Sequence, residues 1–425
     1  MRKGERMKIS QLLHTPEGVR DMYGQECVRK RTVEERILRV FQTHGYQMIE
    51  TPTFEFFDIF SKDRGSVASR EMFKLFDREN NTLVLRPDMT PAIARCVAKY
   101  DMEETMPLHL CYLGQTFTNT TSYRGRLKEM TQTGAECVLD ASADADAQVI
   151  AMVIEALRAA GLTDFQVEMG QVEFFRGLIE EAGMNEETTE TLRELIERKN
   201  YFGVEEVIAG WKMEPALKEL FLKLPELFGS IEIIEYARKR TRNARAQKAL
   251  DRLEEVYHIL ELYGLTEFVS LDLGMLNKYQ YYTGIIFKAY TYGTGDYLVN
   301  GGRYDKLLVQ FGKEASAVGF AILVDSLMSA LERQKIEVCV PSRYAIVLYH
   351  KEEREHALSL AVSLRKEGHT VMTVCFEEGR TLLEYKEYAS RMSFEKLYYW
   401  KAGMQQAEEI DLKIQNTGWK KENMM

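Results

Sequence analysis

The chain has 425 residues but only six cysteines (Cys27, Cys96, Cys111, Cys137, Cys339 and Cys375), and none forms a CxxC pair. This argues against a disulfide framework and leaves reduced, mostly buried thiols. The seven histidines are dispersed and include no HExxH pair, so neither a metal nor any other cofactor is expected. No uncharged apolar run approaches the roughly 18 residues that a membrane helix needs. The opening MRKGERMKIS is charged and lacks an apolar stretch, so no secretory signal is expected and a cytoplasmic location is. Positive charge is not in excess. The net charge is −9, whereas nucleic-acid binders usually carry a basic footprint, so protein and small-molecule partners are favoured over nucleic acid. Internal repeats and low-complexity tracts are also absent.

What is present is an ordinary globular composition, 45% apolar and 28% charged, in a chain too long for one core. Periodicity predicts a helix over 25–44 ended by Gly45, then an extended stretch over 47–53 carrying Pro52. Short strands follow at 72–76, 83–85 and 108–117, then a helix over 149–160 stopped by Gly161 and a strand over 165–169. From about 173 to 264 Glu, Leu, Lys and Arg recur at helical spacing, which reads as a helical insertion. Strand signals return at 268–273, 284–291 and 297–299, and a helix is expected from near Ala317 to about Leu331. Strands and helices without strict alternation predict an α+β antiparallel sheet for residues 1–331. Residues 343–425 read as a separate small βαβαβ unit, with a polar and loosely packed stretch after Ala402.

Four local sequences carry chemistry together: TPEGVRD at 15–21, LRPDMT at 85–90, GQTFTNTTSYRGRLKEMTQTGAE at 114–136, and YYTG at 281–284 followed by GGRYD at 301–305 and AVGFAI at 317–322. In this order they resemble the histidyl-tRNA synthetase catalytic core over about residues 10–330. The C-terminal unit resembles a shortened anticodon-binding domain. The resemblance implies a class II synthetase-like fold, a six-stranded antiparallel sheet with flanking helices that dimerises around Pro52. It places Asp88, Thr90, Gln132 and Glu136 around a histidine α-amino group, and Tyr282 and Tyr304 where hydroxyls reach the imidazole. Carboxylates and an amide carbonyl suit an ammonium, and phenols suit ring nitrogens. Arg124 and Arg126 remain as candidate anion contacts. The lesser reading of Glu136 and Gln132 is that they are remnants in a sheet whose role is only structural. Arg303 suits a salt bridge as well as a ligand contact, and Arg86 reads as structural.

The chain departs from that family where adenylate chemistry needs cations. The arginine expected after Phe117 is Thr118, the one expected before the tyrosine pair is Asn277, and the one expected after Asp325 is Ser326. Losing one preorganised donor at a developing anion costs on the order of 3–4 kcal/mol, and such losses are not additive. Losing three together removes activation while the amino-acid half survives. This pattern resembles the regulatory subunits of ATP phosphoribosyltransferase, non-catalytic synthetase paralogues in histidine biosynthesis. That resemblance implies a short-form catalytic subunit as partner, a hetero-octamer, a homodimer through the synthetase-like core, and histidine as feedback effector. Two other readings are an active histidyl-tRNA synthetase and a stand-alone histidine or tRNA sensor.

Overall fold

The computed structural model describes residues 13–61, 67–120, 127–276, 282–340 and 344–412. The chain divides into two compact units, Met1–Asp21 with Lys30–Val338, and Met22–Arg29 with Cys339–Met425. The larger unit is organised around a nine-stranded sheet. In chain order its strands are β1 (Gln47–Met48), β5 (Leu108–Phe117), β6 (Glu129–Val138), β7 (Gln166–Gln171), β8 (Phe228–Gly229), β9 (Val269–Asp272), β10 (Ile285–Tyr290), β11 (Val299–Arg303) and β12 (Ala317–Leu323). Their spatial order is β1-β5-β6-β12-β11-β10-β7-β9-β8. The six from β5 to β7 pair antiparallel throughout, which is the sheet the sequence implies. Parallel pairings of β1 with β5 and of β9 with β7 extend it at the edges and make the whole sheet mixed.

Helices flank the sheet, with the first and third against one face and the second against the other. The first, α1 (Gly24–Thr43), turns Val33, Ile37 and Phe41 inward. Next in the chain come α2 (Thr90–Tyr100) and α3 (Ala143–Ala160). Helix α3 starts at Ser142, whose side chain accepts from the Ala145 amide, and stops at Gly161 in a left-handed conformation. It is apolar almost all round, as a helix wedged between a sheet and other helices must be. Six helices then run from α4 (Val172–Ala182) through α5 (Glu186–Glu197), α6 (Tyr201–Ala209), α7 (Pro215–Lys223) and α8 (Glu232–Arg238) to α9 (Ala244–Leu262). Their inner residues, including Leu192, Ile196, Ile208, Leu220 and Phe221, join the main core.

The expectation of a helix starting near Ala317 is overturned. Residues 317–323 are not helical: they form β12, and the helix α10 is Val324–Arg333. A run of small and apolar residues without alternation is ambiguous between a buried helix and a strand covered on both faces. Here β12 lies between β6 and β11 and is covered on both sides. A three-stranded sheet sits apart, with β4 (Thr82–Leu85) between β2 (Phe54–Phe56) and β3 (Lys74–Phe76).

The smaller unit has β13 (Tyr344–Tyr349), α11 (Arg354–Lys366), β14 (Thr370–Cys375), α12 (Leu382–Arg391) and β15 (Lys396–Trp400). Strands β14-β13-β15 are parallel. Of the stretch after Ala402, expected to be loosely packed, residues 403–412 are described: there β16 (Glu408–Asp411) adds an antiparallel edge strand and Leu412 is buried, while 413–425 lie outside the described residues. The polar side chains of β16 suit an edge strand facing solvent. Among the described residues no helix is long and apolar enough to cross a membrane.

Candidate functional site

The site is built on the sheet face opposite α1 and α3. Side chains alternate along a strand, so Gln132 and Glu136 of β6 share one face. Across the ladder Glu136 stands opposite Gly319, which stands opposite Gly302. A Cβ at 319 would lie 1.6 Å from Oε2 of Glu136, and one at 302 would lie 2.8 Å from the Tyr282 ring. Glycine is therefore required at both positions, because the two functional side chains occupy the space.

Loop 86–89, between β4 and α2, brings a second wall. Arg86 is buried beneath it and donates to the carbonyls of Thr51 (2.7 Å) and Gln115 (2.8 Å), so it is structural as read from the sequence. With its root fixed, the loop presents Asp88, whose Oδ1 accepts from the Thr90 amide at 3.3 Å. Thr90 opens α2, and its hydroxyl donates to Oε1 of Glu136 at 2.8 Å. The third wall comes from 282–305. The Asp305 carboxylate accepts from the Thr283 hydroxyl (3.0 Å) and the Ala317 amide (3.1 Å), pinning together the segments that carry Tyr282 and Tyr304. The Tyr304 hydroxyl donates to Oε2 of Glu136.

Thus Asp88, Thr90, Gln132, Glu136, Tyr282 and Tyr304 line one cavity, with about 550 Å3 of open space when the solvent at its mouth is counted. Tyr297 and Asn300 add polar groups to the lining and were not anticipated. The Asn300 amide donates to the Tyr282 hydroxyl at 3.4 Å. The signal for Asn300 was present: it is two residues from Gly302 on the same strand and so shares its face. Tyr297 precedes the strand and carried no such signal.

Glu136 is fully buried. Burial pushes its carboxyl up to about 8, against the opposing hydrogen bonds from Tyr304 and Thr90, and the nearby Asp88 carboxylate pushes in the same direction as burial. Burial, with the Glu136 carboxylate, likewise raises the Tyr304 hydroxyl well above its ordinary range. Oε1 of Gln132 is buried with no hydrogen-bond partner among the described residues. No lysine or arginine is among the described residues lining this cavity. It is rich in acceptors, holds two carboxylates, and among the described residues offers no cationic side chain to neutralise a phosphate.

Arg303 does not reach it. The guanidinium points to the other side of the sheet and binds the buried Asp146 of α3 at 2.7 Å, resolving its two readings in favour of a salt bridge. Thr118 follows β5, where its amide donates to the Lys128 carbonyl at 2.8 Å, and Ser326 lies in the first turn of α10. Neither lines the cavity. The preceding acid, Asp325, accepts from Lys30 at 2.9 Å and from the Thr131 amide at 2.6 Å, a structural use. Asn277, Arg124 and Arg126 lie outside the described residues.

A family model described as histidyl-tRNA synthetase matches residues 18–327. The ATP phosphoribosyltransferase regulatory subunit of Acetivibrio thermocellus is 44% identical over 356 residues, covering 84% of this chain and 85% of that one. The protein of the same name from Ruminiclostridium cellulolyticum is 40% identical over 387 residues, covering 91% and 92%. Among solved structures, an ATP phosphoribosyltransferase regulatory subunit/histidyl-tRNA synthetase from Bacillus halodurans superposes with a TM-score of 0.83 at 32% identity, covering 92% of this chain and 99% of that one. Histidyl-tRNA synthetase from Nostoc, at 20% identity and a TM-score of 0.80, over 95% of each chain, shares the fold. The chain belongs to the histidyl-tRNA synthetase-like family and, within it, to the ATP phosphoribosyltransferase regulatory subunits.

Proposed function

We propose that this non-catalytic subunit enables ATP phosphoribosyltransferase, at the first step of histidine biosynthesis, and makes that step answer to histidine bound in the cavity of Glu136. The observation that carries this reading is the cavity's one-sided chemistry. Asp88, Gln132 and Glu136 offer acceptors to an ammonium, Tyr282 and Tyr304 offer phenols to an imidazole, and no cation lines the wall among the described residues. A cavity like this favours an amino acid and rejects a nucleotide. Feedback is then a coupling free energy between the cavity and the partner's active site.

The partner is a short-form catalytic subunit, in a hetero-octamer built on dimers of this chain, at work in the cytoplasm. Phe54, Phe56 and Leu75 support a homodimer through the core. They lie on one face of the three-stranded sheet and are exposed, and an apolar patch of this kind marks an interface. We take residues 1–331 as the synthetase-like domain, with its helical insertion at about 173–264, and 343–425 as the reduced anticodon-binding-like domain. The experiment is to add this chain to the purified short-form catalytic subunit and assay phosphoribosyl transfer with and without L-histidine. The expected result is activation that histidine reverses. An unchanged rate and histidine sensitivity would sink the reading.

A further inference from the structure

A second cleft opens on the same sheet face, beside the first and beneath the helical insertion, and Tyr297 lines both. The ladder explains its position. Asn300 of the first cavity pairs with Lys288, and Lys288 pairs with Glu168, so a polar row continues across β11, β10 and β7. Asp272 at the end of β9 deepens the floor, and Lys199, on the connection between α5 and α6, closes it from the insertion side.

The charges here are unsatisfied in a specific way. Neither Lys199 nor Lys288 makes an ion pair among the described residues. Their ammonium groups sit over the rings of Phe228 (4.9 Å) and Tyr297 (5.5 Å) instead. The Glu168 carboxylate has no hydrogen bond among the described residues, and the Asp272 side chain accepts from the local amides of Gly274 and Met275. Burial raises both carboxyls above their ordinary range despite the two lysines nearby. Two carboxylates and two ammonium groups therefore face one cleft, near enough to attract one another but with no direct ion pair among the described residues.

We propose that this cleft is a second amino-acid subsite, in which Glu168 and Asp272 receive an α-ammonium while Lys199 and Lys288 receive an α-carboxylate. A zwitterion meets both demands at once, where a simple anion or cation meets one and aggravates the other. Because Lys199 belongs to the insertion and the other three groups to the sheet, the bound ligand also ties the insertion to the sheet.

The proposal rests on the histidine reading above only for its first probe, L-histidine. Calorimetry on the full chain should give two binding events. Lys288→Met and Asp272→Asn should each weaken one of them at least tenfold, and Glu136→Gln should weaken the other. In the Glu136→Gln chain the common L-α-amino acids are then screened. The expected result is an amino acid whose binding Lys288→Met and Asp272→Asn weaken tenfold and which slows amide exchange around Lys199. If no amino acid binds that chain, or if binding ignores both substitutions, the second subsite is refuted. If wild-type histidine binding responds to Lys288→Met but not to Glu136→Gln, the second subsite stands and the reading of the first cavity falls.

Discussion

The Glu136 carboxylate occupies the space where Gly319 would carry a side chain: a Cβ there would lie 1.6 Å from Oε2, and the Ala135 carbonyl is 2.7 Å away on the same side. Gly319→Ala should therefore displace the acid from its bonds with Thr90 and Tyr304 and overpack the sheet, at about 1–3 kcal/mol. Histidine affinity should fall at least tenfold, with a lower urea midpoint. Calorimetry and denaturation together check this, and unchanged affinity would show that Glu136 has room to spare.

Glu136 also makes folding and binding depend on pH. An acid raised from 4.5 to about 8 holds its proton in the folded chain and not in the unfolded one across that interval. Its contribution is full below about 4.5, is lost as pH rises toward 8, and is gone above it. Glu136→Gln should flatten this part of the profile of Tm against pH. Near pH 7 an arriving ammonium should expel the proton, so calorimetry in buffers of different ionisation enthalpy should find protons released by the wild type. The variant should release fewer. Equal release from both would assign the effect to another group.

Arg303→Ala leaves Asp146 buried and held only by Arg252, which bonds it at 2.8 Å. Breaking a buried pair from one side costs about 3–5 kcal/mol. Urea denaturation should show that loss while histidine affinity stays within twofold, because Arg303 does not line the cavity. A large loss of affinity with native stability intact would return Arg303 to the ligand-contact reading.

Histidine-dependent ATP–pyrophosphate exchange should be absent from the purified chain if, as the resemblance implies, Thr118, Asn277 and Ser326 replace the arginines of adenylate chemistry. Exchange at a synthetase-like rate would refute the argument from those positions.

Phe56→Glu places a charge on the exposed apolar face of the small sheet. It should shift the chain from dimer to monomer in sedimentation without changing its Tm by more than a few degrees. Persistence of the dimer would move the interface elsewhere.

The sequence revealed the architecture wherever motif and periodicity agreed. The alternation of Gln132 and Glu136 put both on one face, and GGRYD and LRPDMT supplied the other walls. It misled at 317–323, where burial on both faces erases the two-residue rhythm that marks a strand. It was silent on Tyr297, since a residue ahead of a strand has no face until the chain folds. It left Arg303 undecided because its partner Asp146 is 157 residues away, on a helix whose position no local pattern reveals.

The bare wall of the first cavity has a consequence for signalling. The enzyme this family regulates takes ATP as substrate. A synthetase-derived sensor that still gripped triphosphate would report substrate and end product through one pocket, and abundant ATP would mask the scarcer amino acid. On the reading proposed above, a described wall without cations separates the two messages, so that the pocket would answer to the amino acid and not to ATP.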